Sequence, residues 1–240
     1  WGIAGEDSNV TMIADYFKRA KPRSKIVILD AKETFSKQGL FTQGWTALYP
    51  GMIEWRGRQN DGTVSRVDPA AMEGETELGT NEKGAGCNHV PPPRAGRIAH
   101  DAGLANASGW CPINAATMES TLRPGVHVVG DATIAGGLPK SGFAAYSQGK
   151  LAAAAVVGAL SGRAAALPPV LVNTCYSHVG RDYGISVAHV VRPQGNLFVE
   201  VPGSGGVSAA NDAEARKRES AYADGWYDAI TAAIWGTARV

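Results

Sequence analysis

The stretch GVHVVGDATIAGGLPKSGFAAYSQGKLAAAAVVGAL, residues 125–160, decides the fold class of this chain. The apolar residues 125–129 predict a β-strand, the Gly130-Asp131 pair and the small residues after it predict a turn, and the Ala-rich run predicts a helix. The apolar run 151–160 is too short to cross a bilayer and predicts a buried helix. A strand-turn-helix unit of this kind is typical of α/β proteins.

Two charged residues of this stretch leave alternatives open. Asp131 follows the predicted strand, at the sheet edge where open α/β sheets bind ligands, and a carboxylate there can hold the hydroxyls of a sugar or ribityl chain. It can equally cap the turn. Lys140 precedes the predicted helix, where a positive charge opposes the helix dipole, and it indicates either an anionic partner or a solvated lysine.

Composition excludes several function classes. Lys and Arg number 23 against 22 Asp and Glu, so no charge excess predicts binding to nucleic acid or to a membrane surface. The 3 cysteines and 5 histidines show no metal-ligand spacing, so no metal site is predicted. No GxGxxG motif is present, so the chain carries no recognisable cradle for a dinucleotide pyrophosphate. The first residues show no targeting signal.

The flanking segments predict further elements. KIVILD (25–30) reads as a parallel strand covered on both faces. MIEWRG (52–57), VSRVD (64–68) and ETEL (75–78) read as antiparallel strands, and so do three runs after Pro168-Pro169: VLVNTCYS, GISVAHVVR and NLFVEV. Residues 213–234 predict a final helix whose core face carries Tyr222, Trp226, Ile230 and Ile234.

Cys175 lies within one of these predicted strands. A buried structural thiol is the commoner explanation for a cysteine in an apolar strand. The functional alternative is a redox cysteine that pairs with a second sulfur and exchanges with a substrate thiolate.

Several blocks, in a fixed order from about residue 13 to residue 226, resemble the flavoprotein subunit of flavocytochrome c sulfide dehydrogenase. They include SKIVILDAKETFSKQGLFTQGW, YPGMIEW, PPPRAGRIA, GLANASGWCPIN, the opening stretch and NTCYSHVGRDYGISVAHVVRP. The resemblance implies a partial two-dinucleotide-binding-domain flavoprotein of the disulfide-reductase type. Residues 1–98 would be the rest of the second nucleotide-binding domain, 99–165 the returning segment of the FAD-binding domain, and 166–240 an α+β domain that builds the flavin site and the subunit interface.

The resemblance also implies roles for individual residues. Gly130 and Asp131 would hold the ribityl hydroxyls of FAD, and the turn that contains Leu138, Lys140, Ser141 and Gly142 would lie beside the pyrimidine edge of the flavin. Cys175 would be one half of the redox disulfide, and Trp226 an aromatic residue near the ring.

The activity implied is sulfide oxidation in the bacterial periplasm. Sulfide attacks the disulfide and forms a persulfide, the released thiolate passes two electrons to FAD, and a c-type cytochrome subunit takes them one at a time. The GxGxxG half of the family and its flavin-attachment cysteine are not in these 240 residues. By this resemblance, the family's second redox cysteine would align at or just before the first residues, Trp1-Gly2-Ile3, where no cysteine stands.

Two other functions stay open at this stage. One is a non-catalytic module, or remnant, that docks a cytochrome c partner. The other is a related flavin disulfide reductase that acts on quinone or on another acceptor. The absence of an amphipathic membrane-binding C-terminus argues mildly against the second, and no membrane insertion is expected.

Overall fold

The computed structural model describes residues 6–163, 168–209 and 211–236. The described chain divides into two compact units. The first comprises the chain through Pro92, Tyr176–Ser186 and the chain from Ser208 onward; the second comprises Pro93–Cys175 and Val187–Val207. This division reflects which residues pack together. It does not test the three segments that the resemblance implies (1–98, 99–165 and 166–240), which stay a prediction.

The first unit mixes parallel and antiparallel strands with helices, as expected of an α/β chain. In chain order its elements are α1 (Glu6–Ala20), β1 (Ile26–Leu29), α2 (Gln38–Leu48), β2 (Ile53–Arg56), β3 (Val64–Asp68), β4 (Glu73–Thr76) and β5 (Asn81–Lys83). Strands β3, β4 and β5 form an antiparallel sheet, which confirms the strand predicted at VSRVD; the strand predicted at ETEL (75–78) is present but lies two residues earlier, at Glu73–Thr76. The core of this unit is built from apolar side chains: Ala14, Leu40, Phe41, Trp45, Tyr49, Val179 and Ile185.

The antiparallel pairing predicted for residues 52–57 is wrong. Strand β2 pairs in parallel with β1, with Ile26 opposite Ile53 and Leu29 opposite Arg56. Helix α2 carries the chain back to the start of the sheet between the two strands, and such a crossover makes the second strand parallel to the first. The parallel strand predicted at 25–30 is confirmed, but its predicted cover on both faces is not, because Val27 is 37% exposed.

The second unit contains the opening stretch. Its elements are α3 (Arg97–Asp101), β6 (Cys111–Pro112), β7 (Thr133–Ile134) and α4 (Gly142–Ser161). Strand β6 pairs in parallel with β7. The main core cluster comprises Ile113, Ala115, Met118, Ala135, Leu138, Ala144, Ala152, Leu171, Val191 and Phe198.

The strand predicted at 125–129 is not formed. The only pairing in this run within the described residues is a single bridge between His127 and Glu119. A strand needs a neighbour along its length to pair its backbone groups, and one bridge does not supply that. Val126 and Val129 are consequently exposed.

The second half of α4 is not buried, contrary to the prediction for residues 151–160. Val157 is 65% exposed and Leu160 is 85% exposed. The buried stripe of α4 consists of Ala144, Gln148 and Ala152, so only the first half of the helix packs against the core. The helix ends at Gly162, which adopts the left-handed conformation typical of a helix C-terminus.

The predicted C-terminal sheet and helix are both present. Strand β9 (Tyr183–Gln194) pairs antiparallel with β10 (Leu197–Glu200) and with β11 (Gly206–Val207), and it also pairs with β8 (Leu171–Gly180) across the turn at 181–182. Helix α5 (Ala213–Trp235) begins at Asp212, whose carboxylate accepts a hydrogen bond from the Ala215 N–H.

The core face predicted for α5 is present only in part: Trp226 and Ile230 are half-buried, but Tyr222 and Ile234 are exposed. Its buried residues are Arg216, Ser220 and Ala223, whereas Tyr222 is 56% exposed. Residues spaced by four rotate around a helix by roughly 40° per step, so Tyr222 and Ile234 lie about 120° apart, and these two ends of the predicted series fall outside the buried face.

Candidate functional site

The Gly130-Asp131 turn is fixed by hydrogen bonds to two side chains of the second unit. Residues Gly130–Ala132 form one turn of 3-10 helix, and Gly130 has a positive φ of 78°. The Gly130 N–H donates to the side-chain oxygen of the buried Gln148 on α4. The Thr133 hydroxyl donates to the Gly130 carbonyl at 2.8 Å. The backbone on either side of Asp131 is therefore held in place.

The Asp131 carboxylate does not cap this turn. Its side chain is exposed and accepts no hydrogen bond from any of the described residues. The capping alternative from the sequence is therefore wrong. A carboxylate that is held by its backbone and makes no bond inside the chain can accept hydrogen bonds from ligand hydroxyls.

The Lys140 ammonium also contacts the Gly130-Asp131 turn. Nζ donates to the carbonyl oxygens of Asp131 and of Thr133, the second at 2.9 Å. It also lies 3.8 Å from the centroid of the Trp110 ring, which is cation–π geometry. Burial lowers the pKa of Lys140, and the nearby Asp131 opposes that shift. Lys140 is therefore neither a fully solvated lysine nor a charge free to swing toward a distant anion.

The N-terminus of α4 lies directly after Lys140. Ser141 caps the helix: its hydroxyl accepts a hydrogen bond from the Ala144 N–H at 3.1 Å. The backbone N–H groups of the first helical residues, beginning with Gly142, have no acceptor within the helix. The aligned peptide dipoles add positive potential at this end, so the site favours a ligand edge that carries acceptors or negative charge.

Leu138 contributes differently from the prediction. Its side chain is 2% exposed and packs against the apolar core cluster, so its backbone is the part that we expect to contact a ligand. The preceding Gly136-Gly137 pair lies tightly against β10: the Gly137 N–H donates to the Phe198 carbonyl at 2.8 Å, and a Cβ at Gly136 would approach that oxygen to 2.8 Å. The turn before α4 is therefore anchored to the sheet.

Strand β8 carries Cys175 and reaches the cap of α4. Cys175 is half-buried. Two residues earlier, Asn173 is fully buried, and its Oδ1 accepts a hydrogen bond from the Ser141 hydroxyl at 2.5 Å. Trp226 is half-buried on α5, in the first unit. The residues aligned with the family's second redox cysteine, 1–3, lie outside the described part of the chain.

Three residues that build this site were missed by the sequence analysis: Trp110, Gln148 and Asn173. Each acts through a contact with a residue distant in the sequence, which no local pattern reports. Gln148 did carry a signal, because it stands between Ala144 and Ala152 at a spacing of four and is the one long polar side chain on that buried stripe.

Two classes of feature are absent from the described residues. No group of three or more His, Cys, Asp or Glu side chains there could hold a metal ion. Among the described helices, none combines the length and the apolar character that crossing a membrane requires.

The arrangement fits a flavin. An exposed carboxylate beside a positive-φ glycine suits ribityl hydroxyls, and a helix N-terminus suits the acceptor-rich pyrimidine edge. The buried Asn173 adds an amide nitrogen that has no hydrogen-bond partner in the described chain. Gly130, Asp131, Lys140, Ser141, Gly142 and the backbone of Leu138 are brought together in one unit, as predicted; their contact with a cofactor stays a prediction.

The comparisons with known proteins agree with this fit. Residues 5–91 match the family model "Sulfide dehydrogenase [flavocytochrome c] flavoprotein chain, central", and residues 167–235 match "Flavocytochrome c sulphide dehydrogenase, flavin-binding". The flavin cofactor, FAD, predicted from the sequence is thereby supported.

A solved structure shares the fold. A chain in the cryo-EM F1Fo composite tetramer model of the Tetrahymena thermophila mitochondrial ATP synthase is 17% identical, with a TM-score of 0.64. The match covers 100% of this chain and 58% of that one, and at this identity it shows the fold alone. The two family models together cover more than half of the chain, which therefore belongs to the flavocytochrome c sulfide dehydrogenase flavoprotein family.

Proposed function

We propose that this chain forms part of a flavin-dependent sulfide dehydrogenase, which passes electrons from sulfide through a cysteine and FAD to a c-type cytochrome. The single observation that carries the proposal is the exposed Asp131 carboxylate, held beside the N-terminus of α4 in a chain whose family is defined by flavin binding. A periplasmic setting is part of the proposal.

The chain's own residues would orient the cofactor. The Asp131 carboxylate would accept hydrogen bonds from the ribityl hydroxyls. The N–H groups at the start of α4 would bind the pyrimidine edge and stabilise negative charge there. Bound flavin supplies a two-electron acceptor that can release electrons singly.

Lys140 would stabilise the backbone of the site. Its ammonium is held by two carbonyl oxygens and by the Trp110 ring, so it fixes the Asp131 backbone while it adds positive potential. Burial lowers the pKa of Lys140, and the charge of the nearby Asp131 opposes that shift.

Cys175 would be one half of a disulfide that sulfide attacks: the S–S bond would break, one cysteine would become a persulfide, and the other would leave as a thiolate, the electron donor. The half-buried position on β8 leaves part of this residue accessible to a second cysteine and to sulfide. Cys111 is a poorer candidate, because it is completely buried and burial raises the pKa of its thiol. Cys87 is exposed in the first unit.

The proposal is tested by reconstitution. The chain is mixed with FAD, alone and together with the separately expressed N-terminal half of a family flavoprotein, and bound flavin absorbance is measured after gel filtration. Bound flavin is expected in at least the second mixture. If neither mixture retains flavin, the proposal is wrong.

The role of Cys175 is tested in the same preparation. Sulfide should bleach the flavin absorbance of the wild-type sample and of Cys87→Ser, but not of Cys175→Ser. The exposed Cys87 provides the matched control, since both changes replace one sulfur by oxygen. Equal bleaching in the two variants would remove Cys175 from the reaction.

A second candidate is a docking module without catalysis of its own. The apolar side chains that α5 leaves exposed favour it: Tyr227, Ile234 and Trp235. Co-purification of a c-type cytochrome with the chain, without reduction of that cytochrome by sulfide, would support docking over catalysis.

A further inference from the structure

The side-chain oxygen of Asn173 makes a hydrogen bond, but its side-chain nitrogen has no hydrogen-bond partner among the described residues. The residue is 0% exposed, and its Oδ1 accepts the Ser141 hydroxyl. Its Nδ2 has no hydrogen-bond partner among the described residues. Asn173 therefore buries a donor group for which the described chain supplies no acceptor.

Such an arrangement is unfavourable unless a partner exists. Nearly all buried polar side chains in folded proteins are hydrogen-bonded, and an unmatched buried donor forfeits its hydration without compensation. The neighbouring buried residue on the same face of β8 is Leu171, an apolar side chain that avoids this cost. The amide at position 173 thus indicates a group that Asn173 binds beyond the Ser141 hydroxyl.

The Asn173 side-chain nitrogen lies near the N-terminus of α4, because its carboxamide is bonded to the Ser141 cap. A carboxamide is planar and compact, so when its oxygen bonds to the Ser141 hydroxyl its nitrogen is held close to the same helix cap. The helix end contributes its own N–H donors and positive potential. Two sources of hydrogen-bond donors therefore lie near the Ser141 cap, which suits an acceptor of the ligand.

We propose that Asn173 donates a hydrogen bond to an acceptor atom on the pyrimidine ring of the flavin, and so acts as a binding residue of this site. The proposal rests on the proposed function. Because Asn173 and Cys175 lie two residues apart, they share one face of β8. A single strand would then hold both a flavin-binding donor and the sulfur that reacts with sulfide.

The test compares binding of FAD with the stability of the protein without FAD. Wild type and the variants Asn173→Leu and Asn173→Asp are titrated with FAD, with the N-terminal half present if the wild type requires it. Asn173→Leu should weaken FAD binding about tenfold, the scale of one hydrogen bond between buried groups, and should shift the flavin absorption maximum. The thermal midpoint of this variant without FAD should change little, because the substitution removes the unmatched donor together with the acceptor of the Ser141 hydroxyl.

Asn173→Asp keeps the shape and the acceptor for Ser141 but replaces the amide donor by a carboxylate oxygen. A carboxylate is favourable beside a helix N-terminus, so this variant should fold, and it should bind FAD at least as weakly as Asn173→Leu. The matched control is Ser147→Ala, which removes the other hydroxyl that joins α4 to β8, through its 3.2 Å hydrogen bond to the Val172 carbonyl. This control should retain wild-type affinity and spectrum.

Three results would overturn the inference. If Asn173→Leu and Asn173→Asp bind FAD within twofold of wild type, Asn173 does not contact the flavin while the proposed function stands. If Ser147→Ala reproduces the loss of affinity and the spectral shift, the effect comes from loosening of α4 against β8. If the wild-type mixture binds no flavin at all, the proposed function fails and the inference fails with it.

Discussion

The side-chain oxygen of Gln148, buried in the first half of α4, accepts a hydrogen bond from the backbone N–H of Gly130. This bond connects the helix to the turn that carries Asp131. The position of the candidate ribityl ligand therefore depends on a residue seventeen positions along the chain from Asp131, on a different element.

We predict that Gln148→Leu destabilises the chain by about 1–3 kcal/mol, because the half-buried Gly130 N–H loses its acceptor. Chemical denaturation measures the change. The control Ala154→Gln alters an exposed position of the same helix and should change the unfolding free energy by no more than about 0.5 kcal/mol. Equal effects in the two variants would contradict a specific role for the bond.

The conformation of Gly130 gives a second prediction. A Cβ at this position would meet the Ala145 Cβ at 3.5 Å, an ordinary contact, so space is not limiting. The positive φ of Gly130 is the obstacle, because left-handed backbone is unfavourable for residues with a Cβ. Gly130→Ala should therefore lower the free energy of unfolding by about 1–2 kcal/mol.

Gly149 provides the matched control for that change. It lies within α4 with nothing within 4 Å of a built Cβ, so Gly149→Ala should stabilise the chain by about 0.5–1 kcal/mol. Thermal or urea unfolding of the two variants should give opposite signs. The same sign for both would mean that the backbone of Gly130 is not constrained in this way.

From the buried thiol of Cys111 we predict that the unfolding free energy of the chain depends on pH. Burial raises the pKa of its thiol, so the folded chain keeps the proton at a pH where the unfolded chain loses it. The contribution of this neutral thiol to stability is therefore complete below the ordinary cysteine pKa and declines as the pH rises above it. The difference in unfolding free energy between wild type and Cys111→Ala should shrink between pH 7.5 and pH 10, values on either side of the ordinary pKa of about 8.5.

Alkylation provides an independent check on the same burial. Iodoacetamide should modify the exposed Cys87 in the folded chain and reach Cys111 only when the chain unfolds. Mass spectrometry of labelled peptides measures both rates. Modification of Cys111 as fast as Cys87 would contradict its burial.

Much of the fold was predictable from local sequence. The parallel strand at 25–30, the strand at 64–68 and the C-terminal sheet follow from short apolar or alternating runs, which encode strand character directly. The pairing of β2 with β1 was not predictable in this way, because the burial of Ile53–Arg56 is intermediate throughout and the crossover through α2 decides its direction.

The errors share a physical cause. Residues 125–129 and 151–160 have apolar composition, but burial requires a surface to pack against, and composition does not report whether one exists. The described chain leaves Val129 and Leu160 exposed. The site shows the same limit: Asp131 and Ser141 were identified by motif, whereas Gln148 and Asn173 became visible only through tertiary contacts.

The most direct measurement of the central claim is the affinity of FAD for wild type and for Asp131→Asn in the reconstituted mixture. The Asp131 carboxylate makes no hydrogen bond within the described chain, so its loss should leave the unfolding free energy within about 0.5 kcal/mol of wild type. Hydrogen bonds from ligand hydroxyls to a charged acceptor are stronger than neutral ones, so FAD should bind at least about tenfold more weakly to the variant. Unchanged affinity for FAD in a normally folded Asp131→Asn chain would contradict the account.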